Sequence, residues 1–231
     1  NNISNIFEFS VIFYFLIGVI VFIEIESTFL LMESGEIFAS GWNSFAQLGL
    51  GDAESRGYFT KIEGISEAKQ VSTGPVHTLV LMKDGTVKAF GYNRFGQLAI
   101  PKEESGECFV YENEENPRAC VKTPTYIKDP NNPEANLSGV KEVAAGGYHS
   151  LLVMEDSTAL VFGMNFKGEL GVELDFEICE PTPFPCQRSP VVLKDPSDGS
   201  PLSGISKASL GEHHVMLLME NGDVMVFGDN S

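Results

Sequence analysis

Three histidines recur in one setting and are the first candidates for chemistry. His77, His149 and His214 each lie three positions after a glycine (Gly74, Gly146, Gly211) and fourteen before another (Gly91, Gly163, Gly228). One imidazole per repeat would suit a ring of metal ligands around a channel. No carboxylate or cysteine accompanies them at ligand spacing, and equivalent positions of successive units lie far apart. The reading adopted is structural: each histidine locks the tight glycine turn beside it by backbone hydrogen bonds. Four cysteines are the other reactive set. Cys108 and Cys120 share one insertion, Cys179 and Cys186 another, and neither pair has Cys-x-x-Cys zinc spacing. Matching positions suggest that each pair clips its own loop. The spacing leaves open a disulfide, a close thiol pair or unrelated cysteines. Disulfides would imply an oxidising compartment; in the cytosol the thiols would stay reduced.

Other patterns carry less. Glu103, Glu104, Glu107, Glu112, Glu114 and Glu115 lack the Asp-x-Asp-x-Asp-Gly order of a calcium loop and read as a solvated face. Gly146-Gly147 is not followed by Gly-Lys-Ser/Thr, so it is no phosphate loop. Asn2-Ile3-Ser4 and Asn136-Leu137-Ser138 fit the glycosylation triplet, which matters only in a secreted chain. No nucleophile–base constellation is present. We assign no catalytic, cofactor-binding or metal-binding residue and expect no cofactor.

The elements that position these residues are clearest in Val143–Gly171. A short run ends in Gly146-Gly147, His149 opens an apolar strand to Met154, and Glu155-Asp156-Ser157 turns the chain into a second apolar strand, Ala159–Phe162. Such short apolar runs suit strands buried on both faces. Eight residues after the histidines stand Gly85, Ser157 and Gly222, preceded by Asp84, Asp156 and Asn221. Asp-Gly and Asn-Gly predict a two-residue hairpin turn. Gly147 is expected at positive φ. A worn first copy runs from Ser34-Gly35 to Gly49, with Ser27 in the histidine position. The equivalent glycines (41, after Ser40, then the aromatic-Gly glycines 91, 163 and 228) are spaced by 50, 72 and 65 residues, so the variable length falls in loops. Multi-strand repeats of this length are the sign of a β-propeller.

The run Val-Ala-Ala-Gly-Gly-Tyr-His-Ser-Leu-Leu-Val from Val143, followed by Phe162-Gly163-Met164-Asn165 and Gly168-Glu169-Leu170-Gly171, resembles the regulator of chromosome condensation repeat family. Phe90-Gly91-Tyr92-Asn93-Arg94-Phe95-Gly96-Gln97-Leu98 is a second instance. The resemblance covers about residues 27–231 and implies a propeller of seven four-stranded blades. The expected fold is therefore all-β, a partial propeller with about four blades, and the chain reads as a fragment of a longer protein or an incomplete gene prediction. The blades divide at about 24–60, 61–136, 137–201 and 202–231. An open arc would leave apolar blade faces bare. As function the family resemblance admits a protein–protein scaffold, the reading favoured here. It also admits an exchange factor for a Ran-type small GTPase, or the propeller module of a larger HECT-type ubiquitin ligase or kinase.

Insertions at 99–136 and 172–201 leave successive repeats at the same point and return through related segments, Cys120–Pro130 and Cys186–Pro196. They carry the candidate partner-binding residues Phe109, Tyr111, Glu112, Phe176 and Phe184. Such aromatics among acidic residues suit a small GTPase or a basic protein as partner. Residues 1–23 match no repeat. Phe9–Ile23 is a 15-residue uncharged run, short of a membrane span, and the first basic residue is Arg56. Three readings stand: translated non-coding sequence, a membrane or signal segment, and a genuine buried strand. A cytoplasmic location is favoured, with secretion or membrane attachment as alternatives.

The formal charge of −17, from 15 Lys and Arg against 32 Asp and Glu, leaves no basic stripe to displace phosphate counterions. The chain is expected not to bind duplex DNA at physiological salt. Fluorescence anisotropy with a labelled duplex checks this, and micromolar affinity with a steep salt slope would overturn it.

Overall fold

The computed structural model describes residues 19–23, 27–108, 118–172, 177–179 and 183–230. Its strands form four successive antiparallel sheets. The first holds β1 (Val19–Ile23), β2 (Ser27–Met32), β3 (Ile37–Gly41) and β4 (Arg56–Lys61) in sequential order. The second holds β5 (Ala68–Thr73), β6 (His77–Met82), β7 (Val87–Tyr92), β8 (Gly106–Glu107) and β9 (Ala119–Tyr126), in the order β5-β6-β7-β9-β8. A small hairpin follows, β10 (Lys128–Asp129) with β11 (Asn132–Asn136). The third sheet repeats the second: β12 (Val140–Ala145), β13 (His149–Met154), β14 (Ala159–Met164), β15 (Glu177–Ile178) and β16 (Pro185–Val192), in the order β12-β13-β14-β16-β15. The fourth has three strands, β17 (Ile205–Leu210), β18 (His214–Met219) and β19 (Val224–Gly228). These are the blades of an open propeller arc.

The fourteen-residue spacing is a hairpin register. Ser27, His77, His149 and His214 lie opposite Gly41, Gly91, Gly163 and Gly228. The four glycines share φ values of 107–109°, and a Cβ on Gly91 or Gly163 would lie 2.6 or 2.5 Å from the Val76 or Tyr148 carbonyl oxygen. Only glycine satisfies both constraints. The connecting turn is longer than expected. Met82 N–H donates to the Thr86 carbonyl, and of Asp84-Gly85 only Gly85 has positive φ, which is a type I turn with a left-handed residue rather than a primed turn. Asp84 fixes it by accepting from the Thr86 N–H (3.0 Å) and hydroxyl (2.6 Å), and Asp156 does the same for Thr158.

Each blade is covered by the next. Leu79, Leu81, Val87 and Ala89 of the second blade pack on Leu152, Leu160 and Phe162 of the third. Leu151, Val153, Ala159 and Val161 of the third pack on Val215 and Leu217 of the fourth. At the corresponding positions of the fourth blade, Met216, Leu218, Val224 and Val226 are 46%, 39%, 55% and 60% exposed. That face meets solvent in this chain.

Two expectations change. The boundary at residue 23 moves, because Val19–Ile23 pairs in register with Thr28–Met32 as the first strand of a blade; the rest of the apolar run lies outside the described residues. Gly147 does not have positive φ. Its constraint is a close approach: a Cβ would lie 2.5 Å from the Glu212 carbonyl oxygen of the fourth blade, and the Gly147 N–H donates to the Gly211 carbonyl at 3.2 Å. Gly147→Val is therefore expected to cost about 1–3 kcal/mol by overpacking a backbone contact. Ser157 does have positive φ, 65°, but its hydroxyl accepts from Lys141 Nζ (3.0 Å) and donates to Glu220 Oε1 (2.6 Å), bridging two blades. Ser157→Gly trades that bridge for backbone relief and is expected within about 1 kcal/mol of neutral. Denaturant titration of both variants checks the pair, and a larger loss in Ser157→Gly than in Gly147→Val would overturn it.

Candidate interaction face

After Gly41, Gly91 and Gly163 the chain makes the same tight loop. Asn43, Asn93 and Asn165 are buried and use Oδ1 to accept the N–H of Leu48 (2.9 Å), Leu98 (3.1 Å) and Leu170 (2.8 Å). Gln47 and Gln97 accept the N–H of Phe45 and Phe95, and Glu169 accepts that of Lys167. This construction throws two side chains per blade onto one face of the arc: Trp42 and Phe45, then Tyr92 and Phe95.

Those rings touch in series. Trp42 meets Phe45 at 5.1 Å between centroids, Phe45 meets Tyr92 at 5.0 Å, and Tyr92 meets Phe95 at 6.1 Å. Tyr148 of the third blade packs on Phe95 at 5.5 Å, and Phe184 bridges Phe95 (6.5 Å) and Phe166 (4.6 Å). The inner rings are buried; Trp42, Tyr148 and Phe184 are half-buried and Phe166 is 49% exposed. Burial raises the Tyr92 and Tyr148 hydroxyl pKa values, keeping both neutral. The Arg118 guanidinium lies 5.5 Å from the Phe45 ring centroid. The belt then changes character: Lys167 occupies the position of Phe45 and Phe95, and Asp229 that of Trp42 and Tyr92. Lys167 Nζ pairs with Asp229 at 3.2 Å, and His213 Nδ1 lies 3.1 Å from buried Glu169.

Both cysteine pairs sit on this face and are disulfides, Cys108–Cys120 and Cys179–Cys186. They occupy one register. Cys120 pairs with Tyr92 and with Gly106; Cys186 pairs with Met164 and with Glu177. In each clip the first cysteine lies two residues beyond the residue opposite the second. Of the candidate partner-binding residues, Phe184 joins the belt, while Phe109, Tyr111, Glu112 and Phe176 lie outside the described residues. Trp42, Phe45, Tyr92, Phe95, Tyr148 and Phe166 were not among the candidates. For four of them a signal was present: an aromatic directly after Gly41 and Gly91 (Trp42, Tyr92) and another two residues beyond the asparagine (Phe45, Phe95).

The histidines join blades rather than a metal. Their backbone carbonyls close the glycine turns, Gly74 N–H to His77 and Gly146 N–H to His149, both at 2.9 Å. The His77 ring points to the next blade. Ser150 Oγ donates to the Gln97 carbonyl at 2.7 Å, so His77 Nε2 is the donor in its 2.9 Å bond to Ser150. Thr78 likewise donates to the Gln47 carbonyl. The fourth blade has Val215 in the serine position, so His149 has no hydroxyl to meet, and His214 is exposed. Among the described residues no group of three or more His, Cys, Asp or Glu could hold a metal ion, and no helix is long and apolar enough to cross a membrane.

Comparison with known proteins follows the repeat. Two profiles described as the regulator of chromosome condensation (RCC1) repeat match residues 34–81 and 84–153, and residues 68–97 and 140–169. The protein pim1 of Schizosaccharomyces pombe is 30% identical over 94 residues, which is 40% of this chain and 16% of pim1. A crystal structure of Kap60 bound to yeast RCC1 (Prp20) superposes with a TM-score of 0.69 at 21% identity, covering 94% of this chain and 45% of that one. Human WBSCR16 gives 0.68 at 21% identity, over 93% and 49%. Prp20p of Saccharomyces cerevisiae, whose structure is titled with its binding properties to Gsp1p and histones, gives 0.64 at 21%, over 88% and 43%. The fold is shared, and the chain spans about half the length of these solved relatives.

The buried histidines give the arc a pH dependence. Burial pushes His77 and His149 down to about 3, reinforced for His77 by the charge of His149 and for His149 by that of His213. The unfolded chain takes up these protons near the ordinary histidine value, so stability is full above it and falls as pH drops below it. From about pH 7.5 to about pH 5.5 the loss is about 1.4 kcal/mol per histidine. Urea titrations at the two pH values check this. His77→Gln with His149→Gln is expected to flatten the difference, and an unchanged difference would overturn the assignment.

Proposed function

The chain is a member of the regulator of chromosome condensation repeat family, and on that footing we propose that it is a non-enzymatic scaffold binding a protein partner. The docking surface is the face that carries the aromatic belt and both clipped insertions. The observation that carries this reading is the run of ring contacts from Trp42 to Phe166 across three blades, which includes Phe184 of the third-blade disulfide clip. Rigid aromatics on a fixed β framework present apolar contact area at small entropic cost, and loops on such a framework are where binding residues concentrate. The charge of −17 supports a partner with basic character.

A second reading is exchange activity on a Ran-type small GTPase. The fold shared with Prp20p, which binds Gsp1p and histones, favours it. Attachment to a HECT-type ubiquitin ligase or kinase domain is a third. The scaffold reading needs no chemistry from these residues.

The test is affinity capture from the native cell extract, with the full-length protein and a form in which residues 100–122 and 172–188 are shortened. Loss of specific partners from the shortened form is the expected result. An unchanged partner set would move the binding surface to the opposite face. Release of labelled GDP from a Ran-type GTPase separates the second reading: acceleration by the full-length protein supports exchange, and an unchanged rate supports the scaffold.

A further inference from the structure

The two clips are built alike, and that likeness extends beyond the pairing of their cysteines. Each disulfide joins the outer strand of a blade to a two-residue fifth strand, β8 in the second blade and β15 in the third. Each fifth strand has only two register pairs, Gly106 with Cys120 and Glu107 with Ala119, or Glu177 with Cys186 and Ile178 with Pro185. One further backbone bond closes each clip, Cys108 N–H to the Arg118 carbonyl and Cys179 N–H to the Phe184 carbonyl. Two-residue strands at a sheet edge are marginal by themselves. The cysteines also cluster with the preceding blade: Cys108 and Cys120 lie with Ala46, and Cys179 and Cys186 lie with Phe95. The first blade, whose corresponding loop has no cysteine, uses an Asp52–Arg56 ion pair instead.

We propose that oxidation completes the interaction face: the fifth strands β8 and β15 are held on it only when both disulfides are formed. This rests on the scaffold reading and gives the regulation of its docking surface. Each closure removes two protons and two electrons from a cysteine pair. A thiolate attacks a disulfide reagent such as oxidised glutathione, the mixed disulfide is displaced by the second cysteine, and two reduced thiols leave. Cys120, Cys179 and Cys186 are fully buried and Cys108 is 8% exposed, so a closed clip is shielded from exchange until its hairpin opens. The chain therefore suits a compartment in which disulfides persist, rather than the cytosol favoured on sequence grounds.

Hydrogen exchange on the full chain, in oxidised and reduced glutathione buffers, tests this, with alkylation and mass spectrometry counting free thiols. In the oxidised buffer no thiol of these four should be alkylated. Reduction should speed exchange in Gly106–Cys108 and Glu177–Cys179 by about tenfold or more while β6 and β13 keep their protection. Cys108→Ser with Cys120→Ser, and Cys179→Ser with Cys186→Ser, should reproduce the reduced pattern under oxidising conditions. Four free thiols in the oxidised buffer, or unchanged exchange on reduction, would overturn the proposal. Affinity capture in the two buffers separates the two readings. Partners lost on shortening the insertions but kept on reduction would sink the redox requirement and leave the scaffold standing.

Discussion

Each sheet of this chain is apolar on both faces, and only another sheet can cover it. The second blade gives Leu79, Leu81, Val87 and Ala89 to one interface, and the third gives Leu152, Leu160 and Phe162 in return. Close approach follows from that requirement. At Gly74, Gly146 and Gly147 the blades come so near that a Cβ would strike the carbonyl oxygen of Gly146, Gly211 and Glu212 respectively. Polar groups caught in the same seams must find partners across them, as His77 does on Ser150 and Thr78 on the Gln47 carbonyl. Where Val215 replaces the hydroxyl, His149 stays buried and uncharged.

Stacking of this kind also lines up whatever the loops carry. An asparagine-closed loop of fixed shape recurs on each of the first three blades, so a residue type repeated there becomes a surface feature. Trp42, Phe45, Tyr92 and Phe95 become a belt in this way, and two cysteine pairs in one register become a matched pair of staples. The belt ends where Lys167 and Asp229 replace rings, and the face passes from aromatic to ionic within one blade. The proposed scaffold role rests on that arrangement of rigid rings and clipped loops.

Much of this was legible in the residues. The fourteen-residue interval from His77 to Gly91 is a hairpin register, and Asp84-Gly85 marks its turn, because strand pairing and left-handed backbone are local matters that residue type controls. The matched cysteines indicated clips, but spacing alone left the bond open. Other features were misread. Gly147 looked like a residue needing positive φ, whereas its demand comes from Glu212, sixty-five positions later in the chain. The histidine backbone closes its own turn as expected, but the ring's contact with Ser150 of the next blade was not foreseen. The belt was missed because Trp42, Tyr92 and Tyr148 are unremarkable singly and meet only after three blades stack.

The sequence by itself determined the repeat, the strands, the turn positions and the all-β propeller class, since each depends on short apolar runs between turn residues and on backbone preferences within a few residues. Tertiary structure alone decided which side chains touch between repeats. Those contacts depend on the rotation and separation of one sheet against the next, which no interval within a single repeat encodes. For that reason the histidine–serine seam and the aromatic face emerged only when the blades were placed side by side.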